Sequence, residues 1–432
     1  MPFLCSCADV RRSSATPPDT VPRSDASFSG FAFSPAPLTN PYAKGMWRGD
    51  CTDGQLTSRG AHQHASLGSN LRTRWIDALA LIPAVPEAAL LSLRSTDIPR
   101  TRESAENLVC VCVCVFVIVC VCVCECGVPW LDAKMDTHLL ATPLPPEQIA
   151  SLLPKGIAGG VPFPLSRRPF VVEDMLGNPS RCPRFSERFS ELTSSDTWRA
   201  REERRGDLRK ALDSILNTAR AAGWGTNPSM DHYFDALRCR TCHDKPLPCA
   251  SSGGHQGGAP SCVTRAMADA VFEEGDWEYA TLFSDPELAR LAVGAMLYEL
   301  WQDVKAASLG AAPYKLGVRL AHDTTVAPLL GALGAPATYW VPYASHVEIE
   351  LWLHPNRSAS EIHCFFNGAT LKLPQCSGKR LRKGGGEVSG GGGGAGSMSY
   401  FCSLDEFAAI AEVLCRICRT FKPSVSVSHV CA

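Results

Sequence analysis

Two places in the 432-residue chain set chemically capable side chains at the end of a short apolar run. In the first, Ala89-Leu90-Leu91-Ser92-Leu93 has the length of a strand and is followed at once by Arg94-Ser95-Thr96-Asp97. In the second, Lys315-Leu316-Gly317-Val318-Arg319-Leu320 reads as a strand and runs into Ala321-His322-Asp323. A guanidinium offers a planar fork of donors matched to phosphate, while a histidine beside a carboxyl group can bind an oxyanion and supply a proton to a leaving group. Arg94, His322 and Asp323 together therefore point to phosphoryl chemistry at the carboxyl ends of strands, where α/β proteins bind ligands. Taken singly, each has an ordinary reading: a lone arginine in a loop is a surface residue, and a His-Asp pair is a hydrogen-bonded turn.

The elements that must position these residues are legible around them. Ala61, His64, Ala65, Leu67, Leu71 and Trp75 recur at roughly helical spacing and predict a helix starting near Thr57. RTRESAENLV, from Arg100, predicts a helix after the first strand, and ELARLAVGAMLYELWQDVKA, from Glu287, predicts a long amphipathic helix before the second. HVEIELWLH and IHCFFNGATLKL read as the two strands of a hairpin, with Asn367-Gly368 as a turn signal. TWRAREERRGDLRKALDSILNTA, from Thr197, reads as a helix whose leading charges form a solvated face.

Other stretches carry less. Residues 1–50 are rich in Pro, Ser and Gly without a period and read as irregular. Val109 to Cys124 alternates Val and Cys in the manner of a translated dinucleotide repeat; it is too long for a strand and short of the ~20 residues of a membrane helix, so it reads as an inserted non-coding segment. GGGEVSGGGGGAGS, between Cys376 and Cys402, reads as a flexible surface insert. With 42 Lys+Arg against 43 Asp+Glu, no basic footprint argues for nucleic acid, and a small-molecule or protein partner is expected instead. Seven of the 21 cysteines lie in the run from Cys110 to Cys126, and the scattered remainder fits either a few disulfides or buried thiols. The opening MPFLCSCADVRRSSATPPDT lacks the charged start and apolar stretch of a secretory signal. His62 and His64 are assigned surface or packing roles, and Cys239-Arg240-Thr241-Cys242-His243, although it spells a c-type haem attachment motif, stands without any other haem feature. No cofactor and no metal are expected.

Longer stretches, in order, resemble the histidine acid phosphatase family. GQLTSRGAHQHASLGSNLRTRW is similar to that family's helix after its Leu-Thr-x-x-Gly turn, and LLSLRSTDIPRTRESAENL to its Arg-Ser-Thr-Asp-x-x-Arg-Thr segment. YFDALRCRTCHDKPLP, YKLGVRLAHDTTVAPLLGALG, VPYASHVEIELW and NGATLKLPQC with CSLDEF match in turn, covering most of the chain from Gln55 to Phe407. The resemblance implies a phosphomonoesterase acting through a phosphohistidine on a small phosphorylated substrate, with Arg94 binding phosphate, His322 as second histidine and Asp323 as general acid. It also implies a disulfide between Cys376 and Cys402, and a secreted or lysosomal setting.

At the front the chain departs from the family, whose Arg-His-Gly-x-Arg-x-Pro string does not occur here. Arg11-Arg12-Ser13-Ser14-Ala15-Thr16-Pro17 aligns with it, leaving Arg11 alone in register as a phosphate-binding arginine and Arg12 in place of the nucleophile. A guanidinium stays protonated and has no lone pair with which to attack. Two readings of function stay open: an acid phosphatase, and a catalytically inactive phosphate-binding relative. The implied architecture is α/β, a mixed and mostly parallel central sheet flanked by helices in the phosphoglycerate-mutase manner, with an inserted, mostly helical cap. Its expected parts are an α/β domain from 51–130 and 264–432, with 110–126 as the insert and 377–399 as the Gly-rich loop, and a cap from 131–263. A membrane anchor through Val109–Cys124 is the weakest alternative, and oligomeric state is left undetermined.

Overall fold

The computed structural model describes residues 56–84, 86–113, 164–169, 172–177, 182–216, 230–250, 261–354, 360–381 and 398–419. Arg11 and the remainder of the segment aligned with the nucleophile motif lie outside these residues, as does most of the Val-Cys tract.

Helix α1, Ser58–Arg72, begins where expected because Thr57 caps it: the Thr57 hydroxyl accepts from the Gly60 amide at 3.0 Å. It passes into a π-helical turn, Thr73–Ala78. Strand β1 is Leu91–Thr96, and Ala88–Leu90 ahead of it form a 3-10 turn. Arg94 is therefore inside the strand rather than in a loop after it, because the parallel ladder continues through the polar residues that end the apolar run. β1 is followed by α2, Pro99–Val113, which opens with a proline at a position that needs no amide donor and runs into the first residues of the Val-Cys tract.

β1 is the middle strand of a parallel sheet, between β2, Leu165–Arg168, and β3, Leu316–Leu320. The register sets Arg94 opposite Ser166 on one side and Arg319 on the other. Leu91 and Leu93 pack with Leu71, Ile76, Ala105, Leu108, Leu316 and Leu320 in a core between the sheet and helices α1 and α2. Alternation along a strand sends Arg94 and Thr96 to the other face.

That other face meets the last of the helices that the described residues form between β2 and β3, through the Arg94–Glu299 ion pair. In chain order these are α3, Pro183–Thr193; α4, Asp196–Leu216; α5, Asp231–Cys242; α6, Arg265–Phe283; and α7, Pro286–Ser308. After β3 comes α8, Asp323–Ala332. These helices share one large core containing Trp198, Tyr233, Leu237, Leu288, Leu297, Leu330 and Leu333. The leading charges of α4 form the solvated face expected from sequence only in part: Asp196, Arg199, Glu203 and Arg204 are exposed, but others are turned inward. Arg205 is only 2% exposed and pairs with Glu278 of α6, while Arg201 bonds Glu274 at 2.9 Å and lies over the Trp277 ring. A helix packed on a neighbour that carries matching carboxylates can bury its guanidinium groups.

Strands β4, Val347–Leu353, β5, Ser360–Phe366, and β6, Ala369–Thr370, form a separate antiparallel sheet. The expected pairing of the two apolar runs is present as β4 with β5, but the Asn367-Gly368 turn joins β5 to β6; both residues have positive φ, 50° and 77°. Residues 377–399 are not loop throughout, because β7, Gly378–Leu381, pairs with β8, Met398–Phe401, on either side of the glycine run. The chain then enters α9, Leu404–Arg419. The Cys376–Cys402 disulfide is formed, and a second one, Cys249–Cys262, had no signal in the sequence. Among the described residues, no helix is long and apolar enough to cross a membrane.

Candidate active site

β3 ends at Leu320, and two residues later His322 caps helix α8 with extended backbone, φ −128° and ψ 168°. Its amide donates to the Thr325 hydroxyl at 3.3 Å, and that hydroxyl donates in turn to the Met175 carbonyl. The imidazole is buried, with Nε2 at 2.9 Å from the Thr96 hydroxyl at the carboxyl end of β1. Thr96 is held by Thr101 at 2.7 Å, in the first turn of α2. The ends of β1 and β3 thus fix one side chain between them. Burial, and second the positive charge of Arg100, pull the His322 pKa down to about 3, so the ring is neutral in mild acid.

Asp323 is the first residue of α8, where the helix dipole favours a negative group. Its Oδ1 accepts from the Thr324 amide at 2.8 Å, and Oδ2 accepts from Tyr279 OH at 2.8 Å and Trp340 Nε1 at 2.6 Å. The Trp340 ring is clamped between Phe234, at 4.0 Å and nearly parallel, and Tyr279, at 3.8 Å. Such a stack leaves the indole N–H one direction to point. Gly275 makes room for it: a Cβ there would lie 2.3 Å from the Phe234 ring and 3.0 Å from that of Trp340.

The structure places Arg94 differently from His322 and Asp323. Its side chain is nearly buried in a nest of carboxylates, bonding Glu299 of α7 at 2.8 Å and both Glu173 and Asp174. Arg168 of β2 pairs with Asp174 and Glu299 from the other side. The three acids engage its two terminal nitrogens, while Nε is buried without a partner. Arg100, by contrast, shares the His322 and Asp323 environment. Burial lowers its pKa, and the charges of Asp323, Asp235, Tyr343 and Cys239 oppose that shift. Sequence reading missed Arg100; its place in the first turn of the helix after β1, where a side chain faces the strand ends, was the available signal. Burial, and then the charge of Asp323, raise the Asp235 pKa, and nothing in a helical stretch such as YFDALRCRTC marks that acid out from its neighbours.

His64 is buried in α1, and its Nδ1 has no hydrogen-bonding partner; burial lowers its pKa to about 4. Cys239 and Cys242 both lie in α5, and the Cys239 sulfur is 3.8 Å from Tyr343 OH. Among the described residues, no cluster of His, Cys, Asp and Glu has the arrangement of a metal site.

A parallel sheet whose strand ends present a buried histidine and a caged aspartate, covered by helices, is an α/β fold of the phosphoglycerate-mutase type. A Klebsiella phytase has the same fold, with a TM-score of 0.53, 13% identity, and 88% of this chain and 89% of that one covered. No protein-family model matches the chain. Counting factor 60 of Dictyostelium discoideum is 29% identical over 332 residues, 76% of this chain and 66% of that protein. Prostatic acid phosphatase of Bos taurus is 27% identical over 332 residues, 75% of this chain and 73% of that protein. The lysosomal acid phosphatase of the same species is 27% identical over 339 residues, 75% and 66% of the two chains. The chain thus spans just under two thirds of two of these relatives and somewhat more of the third. In sequence the chain is thus similar to proteins named acid phosphatase, and in fold to a phytase.

Proposed function

We propose that the protein is an acid phosphatase-like hydrolase of small phosphomonoesters, working through a phosphohistidine intermediate. The observation that carries this reading is the convergence of His322, Asp323 and Arg100 at the carboxyl ends of β1 and β3, in a chain whose relatives include proteins named acid phosphatase. In the proposed arrangement, 51–130 and 264–432 supply the α/β domain and 131–263 the cap. Arg100 and the neutral His322 imidazole bind the phosphoryl oxygens, and Asp323 belongs to the acid machinery that protonates the departing oxygen. Arg94, although first in line as the phosphate ligand by resemblance, is assigned instead to holding the sheet against α7. Arg11 keeps its proposed place as a second phosphate-binding arginine.

One observation favours the second reading, an inactive phosphate-binding relative: Arg-His-Gly-x-Arg does not occur in the 432 residues. Loss of an acting nucleophile costs on the order of 10⁶ in turnover in an enzyme built around it. Hydrolysis of an aryl phosphate between about pH 4 and 6, run beside tungstate binding, separates the two. Turnover abolished by His322→Ala establishes the enzyme; tungstate binding with turnover at background establishes the inactive relative; neither binding nor turnover removes both.

A further inference from the structure

Helix α6 holds Trp340 by its main chain as well as by its ring. The Asp276 carboxylate accepts from the Trp340 amide at 2.9 Å, and the Tyr279 ring stacks on the indole at 3.8 Å. Phe234 of α5 stacks on the same indole at 4.0 Å with 6° between the planes, in space that Gly275 of α6 leaves open. A side chain fixed in this way cannot swing its N–H elsewhere, so the donor is aimed before any ligand arrives.

Both donors of this cage converge on one oxygen. Trp340 Nε1 lies 2.6 Å and Tyr279 OH 2.8 Å from Asp323 Oδ2, and two such bonds occupy both lone pairs of a carboxylate oxygen. The phenol keeps its proton to donate, because burial, and then the Asp323 charge, hold Tyr279 well above the usual phenol range. Among the described residues, Oδ1 accepts only from the Thr324 amide, at 2.8 Å, which leaves it one open acceptor position. A proton arriving at Oδ2 would displace a donor, whereas one arriving at Oδ1 displaces nothing.

We propose that Tyr279 and Trp340 are positioning residues for Asp323: by filling Oδ2 they confine the exchangeable proton to Oδ1, the oxygen that gives it to the departing ester oxygen. The inference deepens the phosphatase reading and rests on it for the delivery step. In that step phosphorus bonds to the attacking nucleophile and the P–O ester bond breaks. Its electron pair stays with the ester oxygen, which takes the proton from Oδ1 and leaves as an alcohol. The water that later attacks the phosphoenzyme returns a proton to Oδ1.

Leaving groups of different basicity separate this role from a structural one, because an alkoxide needs the proton and a dinitrophenolate does not. In the full chain, Tyr279→Phe and Trp340→Phe are each expected to lower kcat for an alkyl phosphate at least about tenfold, the scale of one hydrogen bond to a charged group. KM should stay within about threefold, and dinitrophenyl phosphate should turn over at nearly the parent rate. Equal losses on the two substrates overturn the proposal, since a distorted site slows both. A second measurement needs no turnover: the Trp340 indole N–H signal in nitrogen-15 NMR, assigned by its loss in Trp340→Phe and followed from neutral pH into acid. Asp323→Ala supplies the position of that signal without its acceptor. The parent signal is expected to stay away from this position throughout, because a proton on Oδ1 leaves the indole bond intact. Its arrival there in acid, while the chain is still folded, would put the proton on Oδ2 and overturn the proposal. If the unaltered chain turns over neither substrate but the indole signal behaves as expected, the phosphatase reading and the delivery step fail and the Oδ1 assignment stands.

Discussion

Arg94 and Arg100 stand six residues apart in one segment, and their surroundings assign them different work. Arg94 is nearly buried among Glu173, Asp174 and Glu299, so removing its charge leaves the buried Glu173 without its ion pair, while Arg168 still holds Asp174 and Glu299. Breaking a buried pair in this way costs about 3–5 kcal/mol. Arg94→Met is therefore expected to lower stability by that order in urea denaturation, while the protein that remains folded binds tungstate as before. Arg100→Gln should do the opposite, weakening tungstate at least about tenfold with a smaller change in denaturation midpoint, as expected for loss of a charge-assisted contact. Tungstate affinity lost in Arg94→Met and kept in Arg100→Gln would return Arg94 to the phosphate site.

At the scale of elements, the site depends on how closely α8 approaches the helices beneath it. Gly331, in the last turn of α8, leaves no room for a side chain: a Cβ would lie 2.1 Å from the Phe283 carbonyl oxygen and 2.9 Å from the Ala289 Cβ. Gly331→Ala is expected to push α8 outward and to cost about 1–3 kcal/mol, typical of overpacking. Since His322 and Asp323 are at the other end of that short helix, tungstate affinity should fall along with stability. The β7–β8 pair depends on a covalent tie. Cys376 and Cys402 close a loop of 26 residues, and Cys402 also bridges to Ile362 of β5. Replacing both cysteines with serine should cost roughly 3 kcal/mol by chain entropy, read as a lower denaturation midpoint. An unchanged midpoint would show that β7–β8 pairing holds without the bond.

Across the whole molecule, the buried histidines set the response to acid. His64 and His322 have folded-state pKa values of about 4 and about 3, below the unfolded value of 6.5. Between those values the unfolded chain takes up protons that the folded chain refuses, so stability falls as pH drops from about 6.5 toward 4 and then 3. For His64 the loss amounts to about 3 kcal/mol once pH has fallen to its folded value. His64→Leu removes both this term and the unpartnered Nδ1. The variant is expected to lose less stability than the parent between pH 7 and pH 4, measured as the change in urea midpoint. An equal loss in the two proteins would mean that His64 is not buried in neutral form.

Much of the fold was legible because its signals are local. The Thr57 cap, the period of Ala61 to Leu71, and the apolar runs before Arg94 and His322 each depend on residues within a turn or a pleat of one another, and the elements formed there. Ordered resemblance supplied the likeness to acid phosphatases and the Cys376–Cys402 tie. That Arg94 would be paired with acids was not legible, because it depends on where a strand's pleat falls and on Glu173, Asp174 and Glu299 being brought in from elsewhere in the chain. The buried charges of α4 escaped for the same reason, since their partners Glu274 and Glu278 lie on another helix. The sequence by itself determined the elements and the chemical types at their ends. Only the tertiary structure decided which of those groups are buried and which are paired, because burial and charge pairing are properties of the packed interior rather than of any one segment.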